Sequence, residues 1–297
     1  MRPWRSASHS AIHPWSSAEL LARKIPARMP RMNTNTHDPL PQSLASAEEI
    51  DISVIIPAWN EAEWLPRTLD AVKRALAELG RSAEIIVVDN ASTDNTASIA
   101  RQHGARVVPE AERQIARARN SGARAARGRV LIFVDADTWP SAELLRASWA
   151  AMDSGTVCGG GAQVAFEDLD RRLYRSGTAV WNALARRLHL AAGCFVFSTR
   201  EAFDAAGGFS EQVYAGEEIA FSLRMQRWGR RHGQRFVVLP EPAVLTSARK
   251  ADWYSLWQHL GLLSLLTVFP FALRFRRLCG FWYRRPEAAA RGRHDGG

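Results

Sequence analysis

The sequence VLIFVDADTWP, residues 130–140, joins a run of apolar residues to two aspartates, Asp135 and Asp137. Such a run, bounded by polar residues, is typical of a buried strand. Side chains two positions apart in an extended segment project to the same side, so we expect the two carboxylates to lie close together. Their repulsion is relieved by a cation or a donor, and Mg²⁺ or Mn²⁺ with oxygen ligands supplies one. The alternative is that these acids cap a helix expected from about Ala142.

Similar apolar runs precede this one along the chain. ISVIIP (52–57), EIIVVD (84–89) and RVV (106–108) are predicted strands, and residues 64–79 suit a helix closed by Gly80. Apolar strands that alternate with helices indicate a mostly parallel sheet covered on both faces. The sequence therefore predicts an α/β fold with a Rossmann-like sheet flanked by helices, in which ligands bind beyond the carboxyl ends of the strands.

Residues 113–127, RQIARARNSGARAAR, are predicted to form an amphipathic helix. The small residues that share one face are Ile115, Ala118, Gly122, Ala125 and Ala126. The polar residues of the opposite face are Arg113, Arg117, Asn120, Arg124 and Arg127. The small face is expected to lie against the sheet. The polar face is either solvated or contacts an anion through one or two of its members.

Composition limits the classes of function. The net charge of +9 and the pI of about 10.3 indicate an anionic partner, such as nucleotide phosphates, nucleic acid or an acidic membrane surface. The cysteines Cys158, Cys194 and Cys279 show no CxxC spacing, which excludes an encoded zinc site or disulfide framework and favours the reducing cytoplasm. The sequence has no GxxxxGK[ST] motif and no GxGxxG motif after a strand, so P-loop and hydride-transfer enzymes are not supported.

Four blocks of the sequence resemble, in order, those of family 2 glycosyltransferases with the GT-A fold. They are ISVIIPAWNEAEWLPRTLDAV, IIVVDNASTDNT, ARARNSGARAARGRVLIFVDADT and GCFVFSTREAFDAAGGFSEQVYAGEEIAFSLRMQRWG. The resemblance covers about residues 51–250, with a nucleotide-sugar half at 51–140 and an acceptor half at 141–250. It implies a metal-dependent, inverting transfer of a sugar from a nucleoside-diphosphate sugar to a hydroxyl acceptor, either lipid-linked or a cell-envelope polysaccharide.

The resemblance also implies roles for residues of the first half. Those that border the nucleotide pocket or contact the base are Pro57, Asn60, Glu61 and Asp89. Those at the diphosphate are Asp135 and Asp137, which hold Mg²⁺ or Mn²⁺ as a DxD pair, and Arg119 and Asn120 beside them. The metal then neutralises charge on the leaving nucleoside diphosphate as a Lewis acid.

The second half is expected to supply the general base. Glu217 and Glu218 stand where the family has a Glu-Asp pair, so Glu218 replaces the aspartate that takes the proton of the acceptor hydroxyl. Glutamate reaches one methylene further, and the choice between Glu217 and Glu218 stays open. The alternative is that both acids complement the dipole of a helix at 217–228. Arg249 and Lys250 are expected near the diphosphate, where Arg249 can bind phosphate bidentately, unless they form a pair of surface charges.

The ends of the chain are expected to lie outside the catalytic domain. Residues 1–48 and 286–297 are predicted to be disordered. For residues 1–48 the alternatives are a mis-assigned start, with Met29 or Met32 as the true initiator, and a transit peptide. Residues 251–285 are predicted to form an apolar and aromatic helical tail flanked by arginines. This tail packs on the domain, binds an anionic membrane surface at the inner face of the membrane, or spans the membrane.

Three rival functions remain at this stage. A nucleotidyltransferase uses a similar sheet, but it usually carries a Gly-rich basic loop where this chain has PAWNEAE. A non-enzymatic anion or nucleic-acid binder explains the charge. It does not explain the carboxylates Asp89, Asp135, Asp137 and Glu218 in one crevice, which repel phosphate without a metal, so no nucleic acid is expected. A catalytically inactive GT-A fold is the third, because fold does not guarantee chemistry.

Overall fold

A computed structural model of the chain describes residues 49–167, 172–249, 274, 275, 277 and 279. The predictions for residues 1–48 and 286–297 fall outside the described residues, as does that for the tail 251–285 except at 274, 275, 277 and 279, and they stay predictions. Within the described residues, no helix is both long enough and apolar enough to cross a membrane.

The first half of the sheet is parallel throughout. Its elements are β1 (Ile52–Ala58), α1 (Leu65–Leu79), β2 (Ala83–Asp89), α2 (Thr96–Gln102), β3 (Arg106–Pro109), α3 (Ile115–Ala125) and β4 (Val130–Val134). The strands lie in the order β3-β2-β1-β4. Helix α1 ends at Gly80 as predicted, since Gly80 adopts a φ of 67° and its N–H donates to the Leu76 carbonyl. The predicted strands and the predicted first helix are confirmed.

The second half of the sheet is mixed. Its elements are β5 (Thr138–Trp139), α4 (Ala142–Asp153), β6 (Val157–Glu167), α5 (Arg172–Leu188), β7 (Phe195–Thr199), α6 (Arg200–Ala205), α7 (Glu217–Arg231) and β8 (Arg235–Ser247). They extend the eight-stranded sheet in the order β4-β7-β6-β8-β5, and β7 runs antiparallel to both of its neighbours. The predicted α/β class is confirmed.

Strand β4 lies in the middle of the sheet and is buried along its whole length. Its alternate residues join two different cores, with Val130, Ile132 and Val134 on one face and Leu131 and Phe133 on the other. This double burial explains why the strand is apolar throughout. It also fixes the position of Asp135, the first residue beyond the strand, at the carboxyl edge of the sheet.

Helix α3 lies close to the sheet at Gly122. A Cβ atom at this position would clash with the side chains of Ile55 on β1 and Val88 on β2. The predicted small face is therefore confirmed at its centre, although the helix is shorter than the predicted 113–127. The predicted place of Asn120 on the exposed face is wrong, because Asn120 is 9% exposed.

Candidate active site

The loops after β1 and β2 meet at the carboxyl edge of the sheet. The side-chain oxygen of Asn60 accepts a hydrogen bond from the backbone N–H of Thr93 at 2.7 Å, and the Asn60 N–H donates to the Ser92 hydroxyl at 3.0 Å. The Asp89 carboxylate accepts from the Ser92 N–H at 3.1 Å. Asn60 and Asp89 thus shape one polar wall, and Pro57 lies on β1 just before it.

Arg119 connects the two halves of the site. Its guanidinium donates to Asp135 at 2.9 Å, to Glu217 at 2.6 Å and to the Gly193 carbonyl at 2.8 Å. The residue is 2% exposed. Burial alone would lower the pKa of Arg119, but the charges of Asp135 and Glu217 more than offset this and raise it above its ordinary value. Arg119 is therefore a permanent cation between the two carboxylates.

Arg249 forms a second buried cation at the same edge. Its guanidinium makes two hydrogen bonds to the Glu61 carboxylate, at 2.7 and 2.8 Å, and its Nε lies 2.8 Å from an oxygen of Asp137. Burial acts to lower the pKa of Arg249, but Asp137 and Glu61 raise it. The alternative that Arg249 is a surface charge is wrong, since its side chain is only 11% exposed. Lys250 lies outside the described residues.

Asp135 and Asp137 are each paired with a different arginine. Asp135 uses Oδ1 to accept from Arg119, and Asp137 uses Oδ2 in its ion pair with Arg249. The alternative that these acids cap the next helix is wrong, because Ser141 caps α4 by accepting from the Leu144 N–H at 3.2 Å. The repulsion between the two aspartates is thus relieved by arginines.

The aspartates nevertheless fit a divalent metal. Among the described residues, no group of three or more His, Cys, Asp or Glu side chains could enclose one. Within the same part of the chain, the ion pairs with Arg119 and Arg249 use one oxygen of each aspartate, so the second oxygen of each is left for a ligand. Mg²⁺ commonly takes one or two carboxylates and completes its shell with water and substrate phosphates. The oxygen set therefore suits an ion carried in part by a diphosphate.

Glu217 and Glu218 occupy the first turn of α7 but differ in their surroundings. Glu217 is 4% exposed and bonds to Arg119. Glu218 is half-buried, and its carboxyl carbon would lie 3.7 Å from a Cβ atom at Gly193. Burial, together with the charge of Glu217, raises the pKa of Glu218 to about 8. This raised pKa makes Glu218 an effective proton acceptor once it is ionised.

Asn120 holds the loop that precedes α7. Its amide donates to the Phe209 carbonyl and to the Glu211 carboxylate, both at 2.9 Å, and its oxygen accepts from the Phe209 N–H at 2.9 Å. These bonds explain why Asn120 is buried. Asn120 directly follows Arg119 in the chain, and through these bonds it positions backbone of the second half.

The sequence did not point to two further residues of the site. Gly193 contributes its carbonyl to Arg119, and Trp59 stacks under the guanidinium of Arg113, which lies 3.6 Å from the ring centroid. Trp59 directly follows β1, within the sequence PAWNEAE. An aromatic residue at the end of a strand was the signal that could have pointed to it. Gly193 had no signal, because its role depends on contacts with Arg119, 74 positions away.

Comparison with known proteins identifies the family. The model of glycosyl transferase family 2 matches residues 53–206, just over half of the chain. Glycosyltransferase AglE of Haloferax volcanii is 27% identical over 190 residues, which cover 58% of this chain and 60% of that protein. This chain thus spans less than two thirds of the length of that relative.

Solved structures share the fold. Mannosyltransferase PcManGT from Pyrobaculum calidifontis, in complex with GDP-Man and Mn²⁺, is 21% identical and matches 83% of this chain and 77% of its own, with a TM-score of 0.53. Glucosyl-3-phosphoglycerate synthase from Mycobacterium tuberculosis, in complex with Mn²⁺, UDP-Glc and phosphoglyceric acid, is 19% identical and matches 77% of this chain and 80% of its own, also with a TM-score of 0.53. The four sequence blocks, the fold and the family match agree, and the chain belongs to glycosyl transferase family 2.

Proposed function

We propose that the protein transfers a sugar from a nucleoside-diphosphate sugar to a hydroxyl acceptor, with inversion at the anomeric carbon. The observation that carries this proposal is the buried guanidinium of Arg119, which joins Asp135 to Glu217 beside Glu218. One ion-pair network thus brings a carboxylate of the donor side next to a carboxyl group suited to proton transfer. A catalytically inactive fold does not need this arrangement.

Glu218 is the proposed general base. Its carboxylate takes the proton from the acceptor hydroxyl as the oxygen bonds to the anomeric carbon, and the bond from that carbon to the diphosphate breaks. Glu217 keeps its ion pair with Arg119 and so holds this cation in place. The ion pair occupies Glu217, whereas the raised pKa of Glu218 suits a general base.

The donor is proposed to bind at the carboxyl edge of β1, β2 and β4. The residues that border it are Pro57, Asn60, Glu61, Asp89, Arg119, Asn120, Asp135 and Arg249. Asp135 and Asp137 would hold Mg²⁺ or Mn²⁺, which supplies Lewis-acid stabilisation of the leaving diphosphate when it is bound. Arg249 lies against Asp137 and can turn its bidentate guanidinium from Glu61 to a phosphate. The solved neighbours with nucleotide sugars and Mn²⁺ support this proposal.

A thermal-shift panel tests the donor and the metal together. UDP-, GDP-, dTDP- and CMP-linked sugars are added with and without Mn²⁺ to the wild type, to Asp135→Asn and to the exposed control Asp153→Asn. A ligand at 100 times its Kd stabilises the fold by about 2.7 kcal/mol. We expect one metal-dependent shift that Asp135→Asn loses and Asp153→Asn keeps. A folded wild type with no shift for any donor would contradict the proposal, and a product with retained anomeric configuration in NMR spectra would refute inversion.

A further inference from the structure

Helix α5 exposes an apolar stripe to solvent. Val180, Leu184 and Leu188 follow each other at intervals of four residues, and they are 68%, 45% and 46% exposed in the described part of the chain. Residues at this spacing lie on one face of a helix. The opposite face packs on the sheet, where Asn182 bonds to the backbone of Val164 and Ala185 is buried. The stripe is therefore not part of the core of the described fold.

Positive charge lies beside the stripe. Helix α5 contains no acidic residue and four arginines, which are Arg172, Arg175, Arg186 and Arg187. Arg187 is exposed and, seven residues after Val180, lies beside the stripe, whereas the spacing of Arg175 and Arg186 from Asn182 puts them on the side turned toward the sheet. An apolar stripe flanked by arginines on an amphipathic helix is the pattern that binds in the plane of an anionic membrane interface.

A neighbouring helix extends this surface. The Gln226 amide of α7 donates to the carbonyls of Leu188 and His189 at 2.9 and 2.8 Å. Leu223, one turn before Gln226, is 42% exposed, and Arg227 next to Gln226 is exposed as well. Leu223 and Arg227 thus form an exposed apolar and basic pair beside the C-terminal end of α5.

We propose that the α5 face, defined as Val180, Leu184 and Leu188 with Arg187 and, from α7, Arg227, binds an anionic lipid surface. Two other occupants fit less well, because their charges do not complement the arginines. A second copy of the face would bring arginines against arginines. The apolar segment 256–273 has no acidic residue and is followed by Arg274, so it offers this face no negative partner.

The α5 face lies close to the candidate active site. Gly193, whose carbonyl bonds to Arg119, is five residues beyond Leu188. Five residues span at most about 18 Å. A membrane bound to this face would hold a lipid-borne acceptor near the site. This consequence rests on the proposed function, whereas lipid binding itself does not and is measured without a sugar donor.

Vesicle flotation of the full chain tests the proposal. Vesicles of phosphatidylcholine with 30% phosphatidylglycerol are compared with vesicles of phosphatidylcholine alone. We expect binding to the anionic vesicles that Val180→Ser/Leu184→Ser weakens at least tenfold. Arg187→Gln/Arg227→Gln should weaken it about fivefold for each arginine. Lys73→Gln/Arg74→Gln removes the same charge from exposed positions of α1 and should leave binding unchanged.

Several outcomes would overturn the proposal. Equal losses in Lys73→Gln/Arg74→Gln and in Arg187→Gln/Arg227→Gln would assign binding to overall charge. Loss in Leu262→Ser/Leu265→Ser, with Val180→Ser/Leu184→Ser unaffected, would assign it to the segment 256–273. A dimer that Val180→Ser/Leu184→Ser dissociates in sedimentation velocity, with vesicle binding unchanged, would assign the face to a second copy. If Val180→Ser/Leu184→Ser has a lower melting temperature than the wild type, vesicle binding by the arginine variant alone tests the proposal.

Discussion

The guanidinium of Arg249 donates hydrogen bonds to both carboxylate oxygens of Glu61, 188 positions earlier in the chain, at 2.7 and 2.8 Å. Arg249 follows β8, whereas Glu61 lies in the loop after β1. Because the same guanidinium also approaches Asp137, one cation connects the end of the last described strand to the loop after β1 and to the residues after β4. The geometry of the proposed donor site therefore depends on residues far from it in sequence.

Loss of the Arg249 guanidinium should destabilise the fold. In Arg249→Gln, Glu61 and Asp137 keep their charges but lose a buried partner, which costs about 3 kcal/mol. Arg67→Gln is the matched control, since Arg67 makes a similar bidentate pair with Glu167 at a more exposed place and should cost less than about 1 kcal/mol. Urea denaturation measures both. Equal losses would show that burial of the Arg249 pair is not what stabilises it.

Substitution of Glu218 should mainly lower activity, whereas substitution of Glu217 should mainly lower stability. Glu218→Gln keeps the shape of the base but cannot accept a proton, so we expect kcat to fall by about 10²–10⁴ with donor binding retained. Glu217→Gln removes the carboxylate that pairs with Arg119 at 2.6 Å, and it should lower the melting temperature more than Glu218→Gln does. Steady-state kinetics and calorimetry distinguish the two. A normal kcat in Glu218→Gln would eliminate Glu218 as the base.

The pKa of Glu218 should appear in two pH profiles. Its value of about 8 in the folded protein, against an ordinary 4.5, means that the folded chain holds a proton which the unfolded chain releases between these pH values. Relative to Glu218→Gln, the wild type should therefore lose stability as pH rises from about 4.5 through about 8. Activity should run in the opposite direction and rise toward pH 8 as the base ionises. Identical stability profiles for the two proteins would contradict the raised pKa.

Replacement by alanine should have opposite effects on stability at two glycines, Gly122 in α3, which lies close to the sheet, and Gly177 in α5. Gly122→Ala places a methyl group against Ile55 and Val88, and we expect a loss of about 1–3 kcal/mol. Gly177→Ala is the control, because a Cβ atom at this helical position meets nothing within 4 Å and alanine favours helix by about 0.5–1 kcal/mol. Thermal unfolding of both variants is the measurement, and a Gly122→Ala protein as stable as the wild type would refute the steric argument.

Local pattern predicted the first half of the fold well. The strands from Ile52 to Val134 are apolar because both faces of the sheet are covered, and Gly80 ends α1 through its positive φ. The mixed second half was not predicted, because the direction and order of β6, β7 and β8 are set by pairing between distant segments. The helical wheel misplaced Asn120 for the same reason, since its partners Phe209 and Glu211 lie about 90 positions away.

The residue types of the candidate site were predicted from the sequence, but the ion pairs between those residues were not. Local sequence placed Asp135 and Asp137 at a strand end, and the structure agrees. Their repulsion was expected to be relieved by a cation or a donor, for which Mg²⁺ or Mn²⁺ was the candidate, and in the structure Arg119 and Arg249 relieve it. The roles of these residues in catalysis and donor binding remain predictions for the experiments above.

The pairing of β4 with β7 limits how the two halves of the sheet can move. Five residue pairs, from Val130 opposite Thr199 to Val134 opposite Phe195, join the strand before Asp135 to the strand after Gly193. A hinge between the two halves would break this ladder in the middle of the sheet. Within the described part of the chain, rotation of one half of the sheet against the other is therefore disfavoured, and closure over a substrate would fall to loops at the sheet edge, such as the one between α6 and α7.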